Sequence, residues 1–188
     1  MHLEEKKLES NIIYDGKIIR VEQDTVLLEN EQQALREVVR HPGGVCIAAL
    51  DDNEYLYFVK QFRYPYYEAI LELPAGKLDR RHESPLAAGK RELQEETGML
   101  AQNYYDLGKL YPSPGYCDEI ISLYAATGLI FQSQALDEDE FLDVVKIPFV
   151  EAVNMTLEGK IKDAKSQTAI LKLKLFLDNN SLAQQVTA

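Results

Sequence analysis

Residues 83–99 read ESPLAAGKRELQEETGM, and this stretch predicts the helix from which the rest of the fold can be worked out. Ser84 is a favourable N-cap residue, and Pro85 suits the first turn, where helix amides have no partners within the helix. Gly98 readily adopts the left-handed conformation that ends many helices. The sequence therefore predicts a helix that begins at Pro85 and ends at Thr97.

Three carboxylates lie on this predicted helix. The spacing of four residues places Glu92 and Glu96 on one face, with Glu95 beside them. Leu86 and Leu93, seven residues apart, mark its buried face. A solvated acidic surface is the ordinary interpretation of such a cluster. Carboxylates at a helix end beside a glycine-containing loop are, however, also what a hard cation such as Mg²⁺ binds while substrate phosphates and water complete its coordination.

The composition is typical of one folded domain. The chain has 188 residues, 46% of them hydrophobic and 27% charged. Its formal net charge of −11 argues against binding to nucleic acid or to an anionic membrane. Two cysteines are too few for a disulfide framework, and the longest apolar run, residues 43–50, is too short to span a membrane. We therefore expect a cytoplasmic protein that binds neither nucleic acid nor membranes.

Strands surround the predicted helix in the sequence. Residues 12–40 predict two or three strands, broken at Asp15-Gly16 and Glu29-Asn30. Residues 44–50 and 55–60 predict a central, buried hairpin. The remaining predicted strands are 69–73, 107–111, 120–126 and 143–148, and the remaining predicted helices are 149–159 and 163–178.

The stretch around the helix resembles the signature of the Nudix hydrolases, which reads Gly, five residues, Glu, seven residues, Arg-Glu-apolar-x-Glu-Glu-x-Gly-apolar. Seven residues separate Glu83 from Arg91, and the match continues to Met99. Six residues instead of five separate Gly76 from Glu83, so this loop is one residue longer. The resemblance implies an α/β/α sandwich with a mixed central sheet, in which Arg91 forms ion pairs with neighbouring carboxylates.

Other segments resemble the branch of this family that acts on ADP-ribose and nucleoside diphosphate sugars. They are residues 36–43, 61–64, 72–77 and 113–115, and Pro114 lies sixteen residues beyond Gly98, as in that branch. The resemblance implies an N-terminal antiparallel strand extension, residues 1–40, before the Nudix domain, residues 41–188. It further implies a homodimer in which the extension completes the partner's active site.

The implied reaction is hydrolysis of the pyrophosphate bond of ADP-ribose to AMP and ribose 5-phosphate with Mg²⁺, or with Mn²⁺. The implied metal ligands are Glu92, Glu95, Glu96 and the carbonyl of Ala75, and Glu95 is also counted among the catalytic residues. The implied general base lies in the acidic loop 137–140 and is Glu138, with Glu140 as the alternate. The implied substrate-binding residues are Tyr14, Arg36, Glu37, Arg63, Ser113, Pro114, Gly115 and Glu119.

Two alternatives stay open at this point. The signature does not distinguish ADP-ribose from another nucleoside diphosphate sugar such as GDP-mannose or ADP-glucose. A non-catalytic module that senses ADP-ribose is the second alternative, and the presence of Glu92, Glu95 and Glu96 argues against it.

Overall fold

The computed structural model describes residues 3–78, 83–136 and 140–179. The chain divides into two compact units: residues up to Gly43 together with Tyr111–Ile120, and Gly44–Leu110 together with the residues from Ile121 onward. The division into residues 1–40 and 41–188 stays a prediction. No helix in the described ranges is long and apolar enough to cross a membrane.

The first unit contains an antiparallel sheet of three strands in the order β1-β2-β3. Three is the upper number that the sequence predicts, and the breaks fall at the two predicted turns. All ten residues of β1 are exposed, including the apolar side chains of Ile12 and Ile13. The strands are β1 (Lys6–Asp15), β2 (Arg20–Leu27) and β3 (Gln33–Arg40).

The second unit contains two further sheets and three helices. One sheet has the order β7-β4-β9-β8 and is mixed, because β4 and β9 are parallel while the other pairs are antiparallel. The other sheet, β10-β5-β6, is antiparallel. The elements are β4 (Gly44–Ala49), β5 (Tyr55–Arg63), β6 (Glu68–Glu72), β7 (Ala75–Lys77), α1 (Pro85–Thr97), β8 (Met99–Leu110), β9 (Ile121–Phe131), β10 (Leu142–Pro148), α2 (Phe149–Leu157) and α3 (Ala164–Asp178).

Strand β4 shows how the second unit is layered. Successive side chains of a strand point to opposite faces, so β4 can contact two layers. Ile47 packs in a buried cluster with Leu93 of α1. Ala48 packs in a different buried cluster with Ile170 of α3. Helices therefore cover both faces of the mixed sheet, and the predicted α/β/α sandwich is confirmed.

The predicted hairpin of residues 44–50 and 55–60 is wrong. Strand β4 lies between β7 and β9, and β5 lies between β10 and β6. Only an isolated bridge between Leu50 and Leu56 joins the two segments. All six residues of β4 are buried. An apolar strand buried on both faces carries no alternation that identifies its neighbours, so proximity in sequence was misleading.

Strand β8 begins at Met99, directly after α1, and not at residue 107 as predicted. It is an edge strand of the mixed sheet. Edge strands tolerate polar residues on their solvent side. Gln102 and Asn103 interrupt the apolar pattern in the first half of this strand, so the sequence did not predict that half. The other predicted strands and helices differ from the structure only at their ends.

Candidate metal and active site

Helix α1 begins and ends where the sequence predicts. The Ser84 side chain accepts a hydrogen bond from the Ala87 amide, and Gly98 has a φ of 69° with its amide bonded to the Gln94 carbonyl. Leu93 is fully buried against the sheet. These contacts fix both the length and the rotation of α1, and the rotation determines where its carboxylates lie.

Glu92 and Glu96 are both buried, with 8% and 3% of their surface exposed. Glu96 Oε2 accepts a hydrogen bond of 3.0 Å from the amide of Ala75 on β7. Burial raises the pKa of the Glu96 carboxyl to about 8, and it also raises the pKa of Glu92. Two carboxylates therefore lie in a place where their charge is costly unless a cation neutralises it.

Gly76 allows β7 to approach α1 closely. A Cβ atom at this position would lie 1.9 Å from Cδ of Glu92. No side chain fits at that distance, so the residue before the longer loop has to be glycine for Glu92 to keep its place. The first glycine of the Nudix signature thus has a packing reason in this chain.

Arg91 is bound by three carboxylates of the signature. Its Nη1 lies 2.8 Å from Glu92 and 2.7 Å from Glu95, and its Nε lies 3.2 Å from Glu83. Burial opposes the charge of Arg91, but the three carboxylates hold its pKa above the ordinary value. This agrees with the ion pairing that the resemblance implied. Arg91 therefore holds Glu83, Glu92 and Glu95 together.

Replacing Arg91 by Leu should lower the free energy of unfolding by about 3 kcal/mol, because removing one partner of a buried ion pair leaves the other charges uncompensated. Urea titration of the metal-free protein measures this loss. The matched control is Lys174→Leu, since Lys174 forms an exposed ion pair with Asp178 that should contribute less than about 1 kcal/mol. Equal losses in the two variants would contradict the role of Arg91.

The acidic loop is described only at its end. Glu138 lies outside the described residues, whereas Glu140 is described and half-buried. The charge of Glu140 contributes to the raised pKa of both Glu92 and Glu96, so Glu140 lies near these two carboxylates. The segment before the loop is tied to the same helix, because the Gln134 side chain donates to the Glu96 carbonyl at 2.6 Å.

Arg63 lies at the end of β5 and is held by Glu72 of β6. Its Nε and Nη2 donate to the two oxygens of Glu72 at 2.5 and 2.8 Å. Arg63 is also close enough to Glu96 for its positive charge to oppose the rise in the pKa of that carboxyl. The structure therefore brings Arg63 together with the carboxylates of α1, and the second unit contains both.

The other predicted substrate-binding residues lie in the first unit. Arg36 binds Glu5 through Nε at 2.9 Å, Glu37 is exposed on β3, and the Tyr14 ring lies against Gly16. A cavity of about 380 Å³ in this unit is lined by Pro114, Gly115 and Glu119, among others, and Ser113 accepts backbone hydrogen bonds in the same loop.

The carboxylates of α1 have the donor chemistry that a divalent cation requires. Among the described residues, no three His, Cys, Asp or Glu side chains are already grouped around a cation position. Arg91 Nη1 donates hydrogen bonds to oxygens of both Glu92 and Glu95. Carboxylate oxygens suit Mg²⁺, and a cation would relieve the cost of burying Glu92 and Glu96. The residues present therefore fit a divalent metal.

Residues 40–168 match the family model of the NUDIX domain, and the chain belongs to this family. NUDIX hydrolases generally use divalent metal ions. The chain is 40% identical to a methanol dehydrogenase activator of Bacillus methanolicus over 174 residues, which cover 92% of this chain and 94% of that protein. It is 38% identical to an ADP-ribose pyrophosphatase of Bacillus subtilis (strain 168) over 175 residues, with the same two shares.

A crystal structure of an ADP compounds hydrolase has the same fold. The TM-score is 0.83, and the match covers 94% of this chain and 95% of that chain at 22% sequence identity. This similarity confirms the predicted NUDIX α/β fold with its mixed sheet.

Sequence reasoning missed two charged residues beside Arg63. Glu72 belongs to a segment that resembles the family, and a carboxylate between Leu71 and Leu73 in a strand is itself a signal that a buried partner exists. Lys165 carries no such signal. It lies in the first turn of α3, far from Glu72 in sequence, and only the fold brings the two together.

Proposed function

We propose that this chain is a NUDIX pyrophosphatase that hydrolyses ADP-ribose to AMP and ribose 5-phosphate, with Mg²⁺ as its metal and Mn²⁺ as a substitute. The observation that carries this proposal is the buried pair Glu92 and Glu96, held against β7 and beside Arg63. The NUDIX membership and the similarity to an ADP-ribose pyrophosphatase support the reaction and the substrate.

The chain supplies metal ligands and an orienting framework more than covalent chemistry. Glu92, Glu95 and Glu96 would hold the cation, together with the Ala75 carbonyl at the start of β7. The bound cation supplies positive charge that stabilises the charge developing on the diphosphate. Arg91 keeps the carboxylates of α1 grouped, and it would release oxygens of Glu92 and Glu95 when these residues hold a cation.

A carboxylate of the acidic loop would accept a proton from the attacking water as a general base. Glu140 is supported by its electrostatic influence on Glu92 and Glu96. Glu138, the first choice from the sequence, stays a prediction. The water oxygen forms a bond to one phosphorus of the diphosphate, the bond from that phosphorus to the bridging oxygen breaks, and the other phosphate leaves.

Arg63 is the candidate for binding the diphosphate from the protein side. Its Nε and Nη2 are bound to Glu72, and its Nη1 has no hydrogen-bond partner in the part of the chain that the structure describes. A fixed guanidinium with one open edge is well suited to a phosphate oxygen. The roles of Tyr14, Arg36, Glu37, Ser113, Pro114, Gly115 and Glu119 in substrate binding stay predictions.

A substrate panel tests the proposed function. ADP-ribose, ADP-glucose, GDP-mannose and NADH are each assayed with Mg²⁺ and with Mn²⁺, with the metal chelator EDTA as the blank. We expect ADP-ribose to have the highest kcat/KM, and EDTA to abolish turnover. A higher kcat/KM for GDP-mannose would show that the chain catalyses the same reaction on another substrate. Tight binding of ADP-ribose without turnover would show that the chain is a sensing module.

We further propose a homodimer that forms through β1. This strand carries Ile12, Ile13 and Tyr14, whose side chains are all more than half exposed. An edge strand that is exposed and apolar is normally covered by another chain. An obligate dimer would bury more than about 2,000 Å² in total.

Replacing Ile12 and Ile13 together by Lys should convert the dimer to a monomer, because charged side chains oppose burial in an interface while costing an exposed strand little. Light scattering measures the mass in solution, and we expect wild type at twice the chain mass. The matched control is Val150→Lys on α2, which is equally exposed and should leave the mass unchanged. A monomeric wild type, or an unaltered mass in the double variant, would contradict the proposal.

Cys46 and Cys117 are both free thiols. This supports the reducing, cytoplasmic location that the sequence predicts.

A further inference from the structure

A cluster of four charges lies beside the carboxylates of α1. It consists of Arg63, Glu72, Asp163 and Lys165, two positive and two negative. Glu72 is at its centre and is only 2% exposed. Burial favours the neutral carboxyl, but hydrogen bonds from Arg63 and the charge of Lys165 hold the pKa of Glu72 below its ordinary value. The negative charge of Glu72 is therefore stabilised by both Arg63 and Lys165.

Lys165 is fixed by the start of α3. Its Nζ donates to Glu72 Oε2 and to Asp163 Oδ1, the second at 2.9 Å. Asp163 is the N-cap of α3, because its Oδ2 accepts from the Ser166 amide at 2.9 Å. Ser166 Oγ in turn accepts from the Leu73 amide at 2.7 Å, next to Glu72 in the chain. The helix start and the end of β6 thus form one hydrogen-bonded unit.

The same contacts decide which edge of Arg63 is open. Glu72 Oε2 is shared between Lys165 Nζ and Arg63 Nη2, and Glu72 Oε1 accepts from Arg63 Nε. With two of its three nitrogens bound in this way, the guanidinium has one orientation. The Arg63 side chain is 39% exposed, so the remaining Nη1 edge can reach a ligand.

We propose that Lys165 is a positioning residue that acts through Glu72 to orient Arg63 toward the diphosphate of the substrate. Lys165 does not contact the substrate in this proposal. Without Nζ, Glu72 Oε2 loses its link to the start of α3 and keeps only its bond to Arg63, so that Glu72 and Arg63 can rotate together. The inference rests on the proposed function, since it takes a diphosphate as the group that Arg63 binds.

Binding of inorganic pyrophosphate with Mg²⁺, measured by titration calorimetry, tests this proposal without requiring turnover. Loss of a charge-assisted hydrogen bond weakens binding about tenfold, so Arg63→Gln and Lys165→Met should each raise the Kd by about that factor. Lys165→Arg should restore most of the affinity. Lys162→Met is the matched control, because Lys162 forms an exposed ion pair with Glu68 and should bind pyrophosphate as wild type does.

The double variant separates positioning from general structural damage. If Lys165 acts through Arg63, the double variant should have a Kd less than about twice that of Arg63→Gln alone. The reason is that both changes remove the same interaction. Multiplicative losses, an unchanged Kd in Lys165→Met, or no pyrophosphate binding by wild type would overturn the proposal. Should Lys165→Met fail to fold, Lys165→Gln replaces it in the same cycle.

Turnover of ADP-ribose by wild type tests the proposed function, independently of the pyrophosphate measurements. A wild type that binds pyrophosphate as described but does not hydrolyse ADP-ribose would overturn the function and leave the role of Lys165 standing. If wild type hydrolyses ADP-ribose while Lys165→Met binds pyrophosphate normally, the proposed function stands and the role of Lys165 is overturned.

Discussion

Glu96→Gln should lower kcat for ADP-ribose on the order of 10²-fold or more, with a much smaller change in KM. Glu96 is 3% exposed and held by the Ala75 amide, so its remaining oxygen has one direction in which to bind a cation. A glutamine keeps the hydrogen bond but removes the negative charge that a divalent cation needs. Because stabilisation of developing charge is lost mainly in the transition state, kcat falls. Steady-state kinetics at saturating Mg²⁺ measure the loss.

Two controls belong to this experiment. The Glu96→Gln protein should be at least as stable to urea as wild type without metal, because burial opposes the charge of Glu96 and the amide avoids that cost. Glu151→Gln, at an exposed position in the first turn of α2, makes the same chemical change outside the proposed site and should keep full activity. Near wild-type turnover by Glu96→Gln would show that Glu96 is not a metal ligand.

Gly76→Ala should lower kcat/KM by about 10²-fold, which is the typical cost of displacing a catalytic group by about 1 Å. The added methyl group would meet Cδ of Glu92 at 1.9 Å, so either Glu92 or β7 must move. Movement of Glu92 displaces a proposed ligand, and movement of β7 displaces Ala75. Kinetics with ADP-ribose measure the effect, and far-UV circular dichroism checks that the variant is folded.

A second variant shows whether the loss arises at Glu92. If Gly76→Ala acts by displacing that carboxylate, it should cost little more in a Glu92→Ala background, where the methyl group has room. Full activity in Gly76→Ala would contradict the close packing of β7 on α1. Equal losses in both backgrounds would show that the methyl group acts through β7 and not through Glu92.

Much of this site could be predicted because its determinants are local. The start, end and rotation of α1 follow from Ser84, Gly98 and the spacing of two leucines, and the rotation places Glu92 and Glu96 on one face. Capping and periodicity act within a few residues, so they can be read without the fold. The α/β/α layering was likewise predicted, through the resemblance to the NUDIX signature.

Tertiary structure alone decided which distant segments meet. The neighbours of β4, the approach of Gly76 to Glu92 and the link from Lys165 through Glu72 to Arg63 all join segments that are separate in sequence. The sequence by itself determined where the helix begins and ends and on which face its carboxylates lie, because capping bonds and side-chain spacing act within a few residues. Strand pairing and buried charge clusters depend on contacts across the core, and no local pattern encodes which partner completes them.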